Sequence, residues 1–95
     1  MSTLHTINKT GQPLELCLRS LSQGDSLLFI EDGVYQLLEA LDVLEDVSHS
    51  FKLYALEADL AARGISGDSQ IFATPVSYRQ FVKMTESHDK ILSWF

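Results

Sequence analysis

The spacing of apolar residues changes along the chain, and each change predicts an element. Leu27, Leu28, Phe29 and Ile30 form an apolar run with no polar alternation, which predicts a strand covered on both faces, as in a parallel sheet flanked by helices. It is read as the central strand. The run stops at Glu31, Asp32 and Gly33, a turn former, and apolar residues recur at Val34, Leu37, Leu38 and Leu41, one stripe of an amphipathic helix. Upstream, residues 4–8 alternate weakly and predict a first strand. Pro13 suits the first turn of a helix, with Leu14, Cys17, Leu18 and Leu21 following at helical spacing. Gly24 is read as the left-handed cap that closes this helix.

Downstream, residues 45–50 are polar and acidic and are read as a surface connection. Phe51, Leu53 and Ala55 alternate with Lys52, Tyr54 and Leu56, which predicts a third strand nearer a sheet edge. Residues 57–64 open with acids and end in Arg63 and Gly64, a short helix whose charges suit its dipole. Gly67, Asp68 and Ser69 predict a turn, and residues 70–74 a fourth strand ended by Pro75. Ser77 is read as the cap of a last helix with Tyr78, Phe81, Val82 and Met84 at its apolar positions. Residues 91–95 either add a terminal strand or dock as an irregular tail. The fold class is therefore α/β: a small three-layer domain, spanning residues 1–95, with a mainly parallel four- or five-stranded sheet flanked by helices.

Composition narrows the function. With 95 residues there is room for one core, and no apolar run is long enough to cross a bilayer. A formal net charge of −6 argues against direct contact with nucleic acid, which needs clustered Lys and Arg. The N-terminus lacks a basic segment followed by a long apolar region, and one cysteine permits no internal disulfide. Both features point to a reducing, intracellular setting.

Candidate chemistry is sparse. Cys17 is the only strong nucleophile candidate, since a thiolate can accept and pass on sulfane sulfur. It shares a helix face with Leu14, Leu18 and Leu21, where a free cysteine is commonly a small buried hydrophobe. On spacing alone the core reading outweighs the reactive one. His5, His49 and His88 lack the spacing of a zinc site and are read as surface or packing residues, so neither a metal nor a cofactor is expected. No nucleophile elbow or glycine-rich phosphate cradle is present. Glu31, Asp32 and Gly33, at the carboxyl end of the central strand, are read as solvated turn residues that face a partner. Trp94 and Phe95 either pack on their own core or anchor in a neighbouring subunit, with the second reading preferred.

The blocks 4–9, 27–35, 52–56 and 59–64, with Trp94 at the end, together resemble the TusB/DsrH family over the whole chain. That resemblance implies a DsrE/DsrF/DsrH-like α/β domain that joins TusC/DsrF-like and TusD/DsrE-like subunits in a heterohexamer. In the Tus version such a complex passes persulfide sulfur from TusA to TusE for 2-thiolation of the wobble uridine of tRNA. The principal sulfur-carrying cysteine belongs to the TusD/DsrE subunit, so the resemblance implies a cytoplasmic, non-catalytic, mainly structural role for this chain. The alternative is a DsrH-like subunit of a sulfur-oxidation complex. DsrH members have a cysteine seven residues before the glycine preceding the central strand, as Cys17 stands before Gly24. The resemblance thus brings the sulfur-accepting reading of Cys17 level with the buried one.

Overall fold

The computed structural model describes residues 2–65 and 71–95. Five strands form one parallel sheet: β1 (Thr3–Ile7), β2 (Ser26–Phe29), β3 (Lys52–Leu56), β4 (Thr74–Val76) and β5 (Lys90–Trp94), in the order β4-β3-β2-β1-β5. The expected central strand is central: β2 has two strands on each side, and all four of its residues are buried. The chain winds outward from β1 to β4, then crosses to the far side of β1 to lay down β5. Its last residues are thus a strand.

Helices cover the two faces unequally. On one face lie α1 (Gln12–Arg19), α2 (Gln36–Glu39), α3 (Leu41–Ser48) and α4 (Glu57–Ala62). They bury the main core, in which Ile7, Leu27, Phe29, Leu53 and Ala55 of the sheet meet Leu14, Cys17, Leu37, Leu44 and Leu60. Each fully buried leucine or phenylalanine stabilises the fold by about 1.5–3 kcal/mol. Among the described residues, the other face carries only α5 (Tyr78–Ser87), whose Phe81 and Met84 pack on a smaller cluster of Leu4, Leu28 and Val76. Ser77 caps α5 as expected: its hydroxyl accepts from the Gln80 backbone N–H while the Gln80 side chain accepts from the Ser77 N–H.

Several boundaries depart from the sequence reading. The stripe from Val34 to Leu41 is not one helix. Glu31–Tyr35 is a 3-10 turn, α2 is a single turn, and the chain breaks at Ala40 (φ −109°, ψ 41°) before α3 begins. Residues 45–48 belong to α3 and not to a connection, because Leu44 and Val47 still reach the core while the acids face water. Helix α1 ends at Arg19, and Gly24 (φ 94°) instead lies in the separate turn that delivers the chain to β2. The fourth strand starts at Thr74 and contains Pro75, which an edge strand tolerates because no second neighbour needs the missing N–H. Within α5, Tyr78 and Val82 are exposed, so only Phe81 and Met84 of its apolar positions face the sheet. Gln70 and the turn at Gly67, Asp68 and Ser69 lie outside the described residues.

Candidate functional site

Polar groups gather at both ends of the sheet. At the carboxyl ends of the strands, Glu31 takes a left-handed conformation (φ 50°) and its N–H donates to Asp59 Oδ2 at 2.7 Å. Asp32 accepts from Arg63 at 3.0 Å, and Arg63 also reaches Asp59 Oδ1 at 3.6 Å. Glu31 and Asp32 are exposed, so this cluster is a solvated surface network. Gly33 is different. A Cβ there would stand 2.0 Å from the Ile7 carbonyl oxygen, so the turn leans directly on the β1 backbone. Beside it, Asn8 Oδ1 is buried without a hydrogen-bond partner among the described residues.

At the amino ends the polar groups are inside. The period of two sends Asp25, Leu27 and Phe29 to the same face as His5 and Ile7 on the neighbouring strand. His5 Nε2 lies 2.9 Å from Asp25 Oδ2, and both residues are buried. Asp25 also accepts from the backbone N–H groups of Thr3 (2.9 Å) and Ser22 (3.0 Å). Trp94 Nε1 donates to His5 Nδ1 at 3.0 Å, with its ring stacked beside the imidazole. An indole N–H can only donate, so Nδ1 accepts and the imidazole proton sits on Nε2, facing the carboxylate. Burial alone would raise the Asp25 carboxyl, but the hydrogen bond from His5 and those from the Ser22 and Thr3 backbone N–H groups hold it below the ordinary range. Nearby, His88 Nδ1 donates to the Met84 carbonyl at 2.8 Å, leaving Nε2 to accept from Ser26 Oγ at 3.2 Å.

Each residue singled out in the sequence has a definite place. Cys17 is fully buried in the main core, and burial, aided by the Asp25 charge, pushes its thiol up to about 12. A thiol in that state is a weak nucleophile at neutral pH. Trp94 is turned inward onto His5 and the core, whereas Phe95 is 78% exposed. Glu31, Asp32 and Gly33 cluster together at the carboxyl end. Cys17 and Trp94 both lie on the main-core side of the sheet. The sequence reading missed Asp25 and underused His5. Their signal was an acid just before the central strand and a histidine in β1, adjacent only once parallel pairing is known. Among the described residues, no group of three or more His, Cys, Asp or Glu side chains converges to hold a metal, and no helix is long and apolar enough to cross a membrane.

The fold and these placements define a small parallel α/β domain with a sealed thiol and a buried Asp-His-Trp lock. The family model described as DsrH like protein matches residues 9–91. The chain belongs to the DsrH-like family. Protein TusB of Escherichia fergusonii is 36% identical over 94 residues, covering 96% of this chain and 99% of that one. Protein TusB of Escherichia coli O139:H28 and of Shigella boydii serotype 18 are each 35% identical with the same coverage. In fold, the chain is similar to the crystal structure of the ychN protein from E. coli. The TM-score is 0.68 at 17% identity, covering 99% of this chain and 100% of that one.

Proposed function

We propose that this chain is a subunit of a cytoplasmic sulfur-relay complex, of the kind that passes persulfide sulfur from TusA to TusE for 2-thiolation of the tRNA wobble uridine. Its contribution is assembly with TusC-like and TusD-like subunits. The observation that carries this reading is the near-full-length likeness to TusB proteins. The buried, high-pKa Cys17 agrees with it, because a relay thiol needs exposure and a lowered pKa. The net charge of −6 supports contact with proteins over direct contact with tRNA.

Co-expression with the two sister subunits tests the assembly half. A stable complex containing all three chains on size exclusion is expected, and a chain that elutes alone would count against it. The role of Cys17 is tested by exposing the complex to a persulfide donor and weighing this chain. We expect no added sulfur mass on Cys17 and unchanged sulfur flux in Cys17→Ser. A persulfide on Cys17 with reduced flux in the variant would instead make it a relay residue.

A further inference from the structure

The bend at Ala40 leaves apolar side chains unused by the fold. In an unbroken helix Leu37, Leu41 and Leu44 would fall on one stripe. With the break, Leu37 and Leu44 are buried, but Leu38, Leu41 and Val43 remain 44%, 39% and 47% exposed. Val43 and Ala40 face α1 across an open groove of about 540 Å³, floored by Leu14 and Leu18. A second depression, of about 390 Å³, shares Ala40 and Val43 and continues over Leu41. Exposed apolar residues that are contiguous across two elements mark an interaction surface more often than isolated ones do.

Charge around this groove is one-sided. Glu15 lines its α1 wall, and Glu39 and Asp42 line the adjoining depression that shares Ala40 and Val43 with it. From residue 20 to residue 51 the chain holds seven Asp or Glu and no Lys or Arg. The cations nearest along the sequence are Lys9 and Arg19, and Arg19 is itself 3.9 Å from Glu15. By contrast, Arg79 and Lys83 lie on α5, across the sheet from this surface.

We propose that the α1/α2–α3 groove docks a different protein chain that presents an apolar side chain flanked by Lys or Arg. The apolar floor supplies burial, and the acidic rim selects and steers a cationic partner. The rim would repel phosphate and anionic headgroups. A second copy is disfavoured, since a twofold contact would set this acidic patch against itself and each copy carries −6. The inference rests on the assembly reading and deepens it by naming the face used and the character of the partner.

The test uses the full chain and the purified pair of sister subunits as the probe. Affinity is measured from low to high salt for wild type, Glu39→Lys/Asp42→Lys, Val43→Glu and the α5 control Lys83→Glu. All four positions are exposed, and circular dichroism verifies the fold of each variant. The double reversal should weaken binding about tenfold at low salt and flatten the salt dependence. Val43→Glu should weaken it most clearly at high salt, where the added acid is screened and the lost apolar burial is what is read, and Lys83→Glu should leave it unchanged. Wild-type binding that survives both groove variants overturns this inference while leaving the assembly reading intact. So does self-association of wild type that Val43→Glu abolishes, which would make a second copy the occupant. If wild type binds neither sister subunit, the assembly reading fails and this inference falls with it.

Discussion

At the amino ends of β1 and β2 an aspartate and a histidine are buried together. At the carboxyl ends two aspartates and an arginine meet at the surface, with Asp32 open to water. The residue types are nearly the same, but the surroundings reverse their weight. Asp25 has no water to fall back on, so its interactions with Thr3, Ser22 and His5 are obligatory. Asp32 and Arg63 lose little if they part, because solvent replaces each partner. The carboxyl end is held by something uncharged: the close approach of Gly33 to the β1 backbone.

The sharpest break in this comparison is Gly33→Ala. A methyl group 2.0 Å from the Ile7 carbonyl oxygen meets only backbone atoms, those of Ile7 and Asn8, and neither β1 nor the 3-10 turn can yield without losing pairing. We expect destabilisation of about 4 kcal/mol or more, read as a drop in urea midpoint or a failure to fold. A loss below about 1 kcal/mol would show that the turn floats free of β1.

Next comes Asp25→Ala, which strands two backbone N–H groups and an imidazole in the interior. Each buried donor left without a partner costs about 1–3 kcal/mol, so a loss of about 3 kcal/mol or more is expected. The pH dependence follows from the depressed carboxyl. A folded-state value below the ordinary 3.8 means that Asp25 adds stability at pH above that figure, and the contribution is lost as pH falls through the lower folded value. Wild type should therefore lose urea resistance in that acid range more steeply than Asp25→Asn. Parallel curves would remove Asp25 from the account of acid stability.

How much of this was legible beforehand depended on whether a feature is local. The central strand was readable because four adjacent apolar residues permit little else, and the α5 cap because Ser77 and Gln80 satisfy each other within one turn. The Asp25–His5–Trp94 lock was not, since its members are 20 and 89 residues apart and meet only after β1 takes β2 and β5 as neighbours. The α2–α3 break was hidden for another reason. Ala40 is a good helix former, so propensity gives no warning, and only packing bends the chain there. Pro75 misled by the reverse route: a proline ends most strands, yet at the sheet edge it sits within one. At the candidate site, Glu31 and Asp32 were legible as a turn at a strand end. Nothing in the residues themselves shows that Gly33 is held there by the β1 backbone.

Trp94 and Phe95 sharpen the same contrast within two adjacent residues. Trp94→Phe keeps an aromatic ring but deletes the N–H and part of the indole, leaving His5 Nδ1 unpaired, and should cost about 1–2 kcal/mol. Phe95→Ala removes a larger apolar surface that is already in water, and should change stability of the isolated chain by no more than about 0.5 kcal/mol. Equal effects from the two would mean that stacking, and not the hydrogen bond, holds β5.

The smallest effect is expected at the carboxyl-end charges. Arg63 is only partly exposed but Asp32 is open to water, so their 3.0 Å contact is screened and each ion keeps most of its hydration when they separate. Asp32→Asn should shift stability by no more than about 0.5 kcal/mol, and the shift should shrink further as salt is added. Arg63→Ala should cost slightly more, because it also gives up the Asp59 contact and the packing of its aliphatic stem. Both losses should remain well below that of Asp25→Ala under the same conditions. If Asp32→Asn proved as damaging as Asp25→Ala, burial would not be what separates the two ends of the sheet, and the acidic turn would be holding the fold together.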